Sequence, residues 1–354
     1  MRKLICAFFT IILLLGGTAC AEERIIPSRE DVNVSKLTNT ANNPAIEGES
    51  PLTGLPAGGE AYTPIMLPMD NSPEAHPLWG IGDASILFQV PLKENGATRL
   101  LALFGDRYPE QAGGVRSGRM SMLPLAAAFH AVFAYAGLPP IGKEHVNVEK
   151  WLGKWSFQKP SRHYNLLGLH FRERVSYVKR PGNLSAHVSE LHEHLAGRDL
   201  DFEKRPFLFT DEPANRDEKA SVITVQYHMR HKPSDVSPNS TSTFTWKPGT
   251  GYIRSSISGD MTDRTTGETV PFANVIIMRI PVKWEAGYPY YEGQMCGSGQ
   301  ADIFQSGCYI QGAWIRDSQT ERLVFLDDTG KELEFQRGKT FIVLGEDMIV
   351  SCSD

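Results

Sequence analysis

The first half of the chain contains short apolar runs that are bounded by proline, glycine and aspartate. Three such runs occupy residues 65–69, 84–90 and 100–104. Apolar runs of this length, closed on both sides by residues that favour turns, are typical of buried β-strands. The hydrophobic pattern therefore predicts three strands before residue 105.

Two further segments have the pattern of helices. Residues 123–136 are apolar and rich in alanine, Pro124 stands in the first turn, where a helix tolerates it, and Gly-Leu-Pro-Pro follows. Residues 184–195 carry leucine or valine at positions 184, 188, 191 and 195, which form one stripe of a helix. We predict a buried helix over residues 123–136 and a second helix over residues 184–195.

Beyond residue 220 the pattern changes to short alternating runs. Turns that contain glycine, such as the Pro-Gly-Thr-Gly sequence at residues 248–251, separate these runs. Alternation between turns is typical of antiparallel strands. We predict strands over residues 222–228, 241–246, 252–256, 274–280, 301–304, 309–315, 323–326 and 340–344.

These elements predict an α+β protein with two domains after an N-terminal extension. A mixed α/β domain is expected over residues 51–212, followed by a mostly antiparallel β domain over residues 213–350. The boundary falls in the charged segment 199–217, which contains two prolines. Residues 22–50 are polar and lack a hydrophobic period, so we predict a flexible tether there.

Residues 1–21 have the features of a secretory signal. Arg2 and Lys3 precede a short apolar run, and small residues follow it. The run is shorter than the roughly 20 apolar residues of a membrane span. Two processing routes fit its end: lipidation of Cys20, as in bacterial lipoproteins, or cleavage after Ala21. We favour lipidation, and both routes predict an extracytoplasmic protein, either lipid-anchored at the cell membrane or secreted.

Composition narrows the function classes. The formal net charge of −5 at pH 7 argues against a protein that binds nucleic acid. The cysteines and histidines lack the paired spacing of a zinc site, so no metal site is predicted. No motif identifies a cofactor.

An oxidising compartment permits a disulfide, and Cys296 and Cys308 are the best candidates for it. A tight turn at residues 306–307 would instead place Cys308 opposite Gln305 in a hairpin. The sequence alone leaves both outcomes open.

Segment 98–119 carries the densest candidate chemistry. It has the pattern of an apolar strand, a glycine-bearing loop and two arginines, Arg116 and Arg119, shortly before the predicted helix. Because the arginines follow Gly113-Gly114, we expect backbone N–H groups and two guanidinium groups to face one anion. The segment therefore predicts a site for a phosphate or a carboxylate.

Other charged residues lie near the ends of the predicted strands. Arg99 begins the third strand, and Asp70 and Glu94 follow neighbouring strands. In one interpretation the two carboxylates orient the arginines toward a ligand. In another, arginines and carboxylates pair as a buried ionic brace. A third hypothesis makes Asp70 and Glu94 the acid–base pair of a glycan hydrolase.

Several longer motifs are similar to those of a known family. PLTGLP begins at residue 51, and GGVRSGR at residue 113 contains a G-V-R-S-x-R signature. GSGQADIFQSGCYIQGAW begins at residue 297, and DDTGKELEFQRGKTFIV begins at residue 327. With these motifs the chain resembles the YerB-like lipoproteins, an envelope family with two consecutive domains of unknown function. The resemblance implies a lipoprotein with an α/β N-terminal domain and a β-rich C-terminal domain, and it implies no established activity.

The resemblance also bears on two single positions. The family carries an aromatic-Arg-Asp triplet where this chain has Phe171-Arg172-Glu173, which implies that Arg172 joins the other arginines. Exposure of Arg172 at the surface is the alternative. His76 stands where the family usually has an arginine.

The sequence thus favours a membrane-tethered protein with a binding or scaffold role. Its expected partner is an anionic envelope component or a cell-envelope protein. The predicted ligand-binding residues are Arg99, Arg116, Arg119 and Arg172, with Asp70 and Glu94 orienting them. The alternative is a hydrolase or phosphotransferase of cell-wall polymers that uses Asp70 and Glu94 with Arg116 and Arg119.

Overall fold

The computed structural model describes residues 46–153, 162–198, 200, 202, 207–229, 232–236, 240–346 and 348–354. The predicted signal, Cys20 and most of the predicted tether lie outside these ranges. The α-helices in them are α1 (Leu123–Ala128), α2 (Val148–Leu152) and α3 (Val188–Leu195). Within the described ranges, no helix has the length and apolar character needed to span a membrane.

Apart from short 3₁₀ helices, the rest of the regular structure is strand. The strands of the first half are β1 (Ile65–Met69), β2 (Ile86–Pro91), β3 (Thr98–Phe104), β4 (Ala112–Gly113), β5 (Val132–Tyr135), β6 (His163–Asn165), β7 (Arg172–Arg174), β8 (Leu184–Ala186) and β9 (Leu208–Thr210). Those of the second half begin with β10 (Val222–Met229), β11 (Lys232–Val236), β12 (Ser242–Lys247), β13 (Gly251–Ser256), β14 (Gly259–Asp260), β15 (Pro271–Phe272), β16 (Asn274–Arg279), β17 (Val282–Glu285) and β18 (Tyr288–Tyr291). They end with β19 (Gly297–Gln305), β20 (Cys308–Arg316), β21 (Val324–Leu326), β22 (Glu334–Gln336), β23 (Thr340–Gly345) and β24 (Met348–Ser353).

One ten-stranded sheet runs through both halves of the chain. Its order is β21-β20-β19-β16-β23-β2-β3-β1-β5-β6. The two halves meet at the parallel pair β2 and β23, where Leu87 lies opposite Phe341 and Gln89 lies opposite Val343. Strands from both predicted domains therefore form a single central sheet.

A second sheet covers one face of the central sheet. It has the order β11-β10-β12-β13-β14, with β24 paired to β10 and β15 paired to β13. The ring of Phe341 in β23 packs against Phe244 of β12 and Phe272 of β15, with centroid separations of 5.0 and 5.1 Å. These aromatic contacts join the two sheets across a common apolar core.

The opposite face of the central sheet packs against the helical segment around α1. Ile342, which follows Phe341 and points to the other side, shares a core with Leu123 and Phe129. Since both faces are covered, the central strands are expected to be apolar on both sides over most of their length. This requirement explains the continuous apolar run of β1, whose predicted bounds are confirmed.

The predicted helix over residues 123–136 is wrong in its second half. α1 ends at Ala128, and β5 follows and pairs in parallel with β1. His130, which has a positive φ of 48°, lies in the turn between them. Valine and aromatic residues in β5 suit a pleated strand, and pairing with the free edge of β1 overrides the helical tendency of the alanines.

The predicted helix over residues 184–195 begins too early. Leu184–Ala186 form β8, which pairs with β4 and β7, and α3 begins after His187. The apolar stripe of the remaining helix, which includes Val188 and Leu195, is buried as predicted. The strand forms because the short β4 offers an unpaired edge at this point.

The strands predicted beyond residue 220 are confirmed, and so is the α+β class. The hairpin of β19 and β20 is longer than predicted. The sequence does not predict the hairpin of β17 and β18, which contributes Tyr288 to the candidate site.

We expect Phe341→Ala to lower the free energy of unfolding by about 3–5 kcal/mol, because the fully buried ring leaves a cavity between the sheets. Because both halves share the central sheet, we expect one unfolding transition for the whole chain. Urea unfolding followed by tryptophan fluorescence and by far-UV circular dichroism measures both quantities.

Ile257→Ala is the matched control, since this side chain is 62% exposed and its loss should change stability by no more than about 0.5 kcal/mol. Two separate transitions, with only one of them shifted by Phe341→Ala, would contradict a shared core.

Candidate functional site

Three arginines of the first half converge near Asp70, which directly follows β1. Arg99 lies in β3, and Arg116 and Arg119 lie between β4 and α1. The charges of Asp70, Arg116 and Arg119 all act on Arg99. We refer to these three arginines as the arginine cluster, and the structure brings them together as the sequence predicts.

Backbone hydrogen bonds fix the segment that carries Arg116 against the end of β1. The N–H of Asp70 donates to the carbonyl oxygen of Gly114 over 2.9 Å, and the N–H of Arg116 donates to that of Pro68 over 2.8 Å. The side chains of Asp70 and Arg116 therefore start from adjacent backbone positions.

The two glycines before Arg116 are required by packing. A Cβ at Gly113 would overlap the indole ring of Trp79, and a Cβ at Gly114 would overlap the carbonyl group of Gly182. The glycine pair thus lets three chain segments approach closely. Its role differs from the anion-binding loop that the sequence suggested.

Three backbone N–H groups of this loop are bonded within the protein and are therefore not available to hold an anion. The N–H of Gly113 donates to the carbonyl oxygen of Trp79 over 3.0 Å, and that of Val115 donates to Leu184 over 2.7 Å. The N–H of Arg116 is also bonded, as described above. An anion at this site would be held by side chains.

Asp70 forms an ion pair with Arg116. The Oδ2 atom of Asp70 lies 2.7 Å from Nε of Arg116, and the two side chains are 6% and 24% exposed. The N–H of that Nε does not point along a hydrogen-bond direction to the oxygen, so the pair is held by charge. The other carboxylate oxygen accepts from the N–H of Ser72 over 3.0 Å. Asp70 is thus a buried anchor for a partly exposed guanidinium.

Arg99 is the deepest member of the arginine cluster. It is 7% exposed, and its Nε donor has no hydrogen-bond partner in the part of the chain that the structure describes. The pKa of Arg99 is lowered to about 9, chiefly by burial; Asp70 opposes the shift, and the charges of Arg119 and Arg116 contribute to it. Arg99 is therefore a buried cation with less compensation than its charge requires.

Arg119 contacts the second half of the chain. Its guanidinium lies 5.4 Å from the ring centroid of Tyr288 in β18, and Lys93 Nζ lies 3.4 Å from the same centroid. Nη1 of Arg119 donates to the carbonyl oxygen of Gly118 over 2.9 Å. Burial, followed by the charge of Arg116, lowers the pKa of Arg119, and Tyr288 opposes that shift. Tyr288 lies between two cations, and the hydrogen bond from Lys93 lowers its pKa.

The remaining two predicted ligand-binding residues, Glu94 and Arg172, lie next to other segments of the chain. Oε2 of Glu94 is 4.0 Å from where a Cβ of Gly287 would be, which puts Glu94 at the tip of the β17–β18 hairpin. Arg172, in β7, donates from Nη2 to the carbonyl oxygen of Leu167 over 2.9 Å. Glu94 therefore lies near the hairpin that carries Tyr288, and Arg172 holds a neighbouring loop.

A fourth arginine lies buried between the two sheets. Nη2 of Arg254 donates to Oε1 of Gln89 over 3.2 Å and to Oδ1 of Asn71 over 3.4 Å, and its Nε donates to Oγ of Ser242 over 3.1 Å. Neutral oxygen atoms thus satisfy several donors of a 2% exposed guanidinium. The sequence patterns did not identify Arg254.

His76 lies between this arginine and the arginine cluster. Its Nε2 is 3.1 Å from Oδ1 of Asn71. Burial and the charge of Arg254 lower the pKa of His76 to about 4, and Asp70 opposes the shift. At neutral pH the ring is therefore uncharged and adds no further cation here.

Sequence analysis missed Lys93 and Tyr288 for different reasons. Lys93 directly precedes Glu94, which was predicted to belong to the site, so the sequence could have indicated Lys93 as well. Tyr288 comes from a hairpin in the other half of the chain, and no pattern links it to the arginines. Only the three-dimensional structure places it beside them.

The proposed disulfide is not present. In the β19–β20 hairpin Cys308 lies opposite Gln305, whereas Cys296 precedes the far end of β19. Neither cysteine belongs to a disulfide. Within the described ranges, no three His, Cys, Asp or Glu side chains are grouped as ligands of a metal ion.

Two domain families match the chain. The "Protein of unknown function (DUF3048) N-terminal domain" matches residues 52–201, and the corresponding C-terminal domain matches residues 233–342. The curated "Putative lipoprotein YerB" of Bacillus subtilis (strain 168) is 26% identical over 358 residues, which cover 97% of this chain and 95% of that protein.

A solved structure shows the same architecture. The crystal structure of the YerB protein from Bacillus subtilis matches with a TM-score of 0.70 at 25% identity, over 86% of this chain and 99% of that chain. Sequence and structure therefore agree with the resemblance predicted from the motifs. The chain belongs to the DUF3048 family, carries its N- and C-terminal domains in succession, and is similar to YerB.

Proposed function

We propose that this protein is held at the outer side of the cell membrane by a lipid anchor and binds an anionic ligand through the arginine cluster. The ligand class is a phosphate- or carboxylate-bearing component of the envelope. Arg116 and Arg119 make the accessible contacts, and Arg99 supplies positive charge from beneath them. The role is one of binding rather than catalysis.

The observation that carries this proposal is the excess of buried guanidinium donors. Nε atoms of both Arg99 and Arg119 are buried and lack a hydrogen-bond partner among the described residues. A buried polar group left in this state costs about 1–3 kcal/mol, and more if it is charged. An anion bound to the exposed parts of Arg116 and Arg119 would offset the crowded positive charge and would raise the lowered pKa values of Arg99 and Arg119.

Asp70 has the geometry of an orienting residue. One carboxylate oxygen lies against Arg116 and the other accepts from the N–H of Ser72, so both oxygens have partners. A carboxylate engaged in this way holds a guanidinium in place and is a poor choice for proton transfer. This arrangement favours binding over the hydrolase or phosphotransferase alternative.

Two other observations support the proposed lipid anchor. The curated relative that the chain matches over almost its whole length is described as a lipoprotein. In this chain, Arg2 and Lys3, a short apolar run and Cys20 follow one another in the order of a lipoprotein signal. A lipid on Cys20 would tether the folded part through the polar residues 22–50.

We expect inorganic pyrophosphate to stabilise the wild-type protein and Arg119→Gln to abolish most of that effect. Pyrophosphate at 100 times its Kd should raise the free energy of unfolding by about 2.7 kcal/mol. Removing Arg119 deletes an unpaired donor and relieves repulsion on Arg99, which offsets the lost contacts with Gly118 and Tyr288. The stability without ligand should therefore change little. Thermal unfolding with and without pyrophosphate measures both effects.

Arg172→Gln is the matched control, because this arginine bonds to Leu167 and should leave the pyrophosphate effect intact. If the arginines and Asp70 form only a structural brace, no anion would stabilise the wild type. Arg116→Ala would then lower the stability at every ligand concentration, because it breaks the pair with Asp70.

For the anchor, we expect Cys20→Ser to abolish incorporation of a labelled fatty acid and to release the protein from the membrane fraction. Cys6→Ser, which changes a cysteine inside the signal, should keep both the label and the membrane location. Mass spectrometry of the mature N-terminus provides the check. A wild-type protein that begins at Glu22 without lipid would instead show cleavage after Ala21.

A further inference from the structure

A cavity of about 720 Å³ opens beside the Gly113-Gly114 segment and is distinct in composition from the arginine cluster. Trp79, Asp83, Glu110 and Tyr177 line it from the first half of the chain. The turn that begins at Asp263 closes it from the second half. Its volume lies within the roughly 300–1,000 Å³ range of small-molecule binding sites.

The carboxylate of Asp263 fixes this turn against the opposite wall. It accepts from the N–H groups of Gly80 over 3.1 Å and of Gly82 over 2.6 Å, and it also accepts from Thr265 within its own turn over 2.7 Å. Asp263 is 2% exposed, so these bonds are shielded from water. The two sides of the cavity are therefore held together before any ligand enters.

The residue after Asp263 adds a second attachment. The N–H of Arg264 donates to the carbonyl oxygen of Leu78 over 2.7 Å, and its Nε donates to that of Pro77 over 2.9 Å. The guanidinium lies 5.6 Å from the ring centroid of Tyr177. Arg264 is thus engaged with the wall and covers part of an aromatic ring.

The aromatic side of the cavity is rigid and partly open. Trp79 is 1% exposed, and its Nε1 donates to Oγ of Ser185 over 2.9 Å. Tyr177 packs edge-on against this indole at 5.6 Å and is itself 53% exposed. An exposed aromatic ring held by a buried one is a suitable surface for the apolar face of a ligand.

The polar side of the cavity offers both acceptors and donors. Glu110 supplies a carboxylate, and Thr265 and Thr266 supply hydroxyl groups. Gln111 supplies an amide whose Nε2 already donates to Oε1 of Glu173, which leaves its carbonyl oxygen and its second N–H for a ligand. These groups line the cavity together with Tyr177. They match a ligand that combines many hydroxyl groups with an apolar face.

Charges around the cavity are largely balanced. Burial raises the pKa of Asp83, and the positive charges of Lys339 and Arg107 oppose that rise. Nζ of Lys339 also donates to the carbonyl oxygen of Ala84 over 2.8 Å, beside Asp83. With the Asp263 carboxylate already bonded to three N–H groups, the cavity does not have the excess of cations that an anion site requires.

We propose that this cavity binds an uncharged saccharide. The C–H face of a pyranose ring would pack on Tyr177, and its hydroxyl groups would exchange hydrogen bonds with Glu110, Gln111 and the two threonines. The two halves of the chain form the site jointly, because Asp263 and its turn come from the second half. This site is separate from the arginine cluster and does not depend on the anion-binding proposal.

The test is isothermal titration calorimetry of the full chain in detergent with two probes, chitotetraose and maltotetraose. At least one tetrasaccharide should bind, and Tyr177→Ala should weaken its affinity by about five-fold or more through loss of the aromatic contact. Tyr177→Phe retains the ring and should bind within about two-fold of the wild type. Since Tyr177 is half exposed, both variants should keep the wild-type melting temperature.

Arg119→Gln separates the two sites, because it should leave saccharide binding unchanged even where it abolishes the pyrophosphate effect. Spermidine serves as a cationic probe. Failure of both tetrasaccharides to bind at millimolar concentration would overturn the proposal. Equal binding by wild type and Tyr177→Ala, or binding of spermidine in place of both sugars, would overturn it as well.

Discussion

The parallel pairing of β2 with β23 is the interaction on which the rest of the structure depends. It joins strands that are far apart in sequence and aligns Leu87 with Phe341 beneath the second sheet. The adjacent residues Phe88 and Ile342 belong to the core under α1. This pair and the smaller parallel pair of β9 with β22 bring the halves together, so that the β18 residue Tyr288 can reach Arg119 and the Asp263 turn can close the cavity. The two family domains are sequence units that complete one another's core.

Arg254 and Arg99 are both buried, but the charge of each is compensated in a different way. Arg254 lies between the sheets, and the oxygens of Gln89, Asn71 and Ser242 accept hydrogen bonds from it, so the polar core compensates its burial without a carboxylate. Arg99 has the opposite balance, since two other arginines share its surroundings and its Nε lacks a partner among the described residues. The contrast explains why we assign a structural role to the first and a binding role to the second.

How far the sequence predicts this structure depends on the range of the interactions involved. β1 was predicted to the residue, because proline and aspartate bound an apolar run. The segment that forms β5 was predicted as part of a helix, because its strand conformation depends on pairing with the neighbouring edge of β1. Convergence of the arginines followed from strand ends, a local feature. The function of the glycine pair did not, because it is set by Trp79 and Gly182, which lie far from it in sequence.

The position of β23 near the end of the chain has a consequence for biosynthesis. Until residue 345 has emerged from the ribosome, β2 has a sheet edge with no partner, and the aromatic residues of β12 and β15 have no ring of Phe341 to pack against. The first half therefore cannot complete its sheet or its apolar core before β23 has been made, however early the first half itself is synthesised.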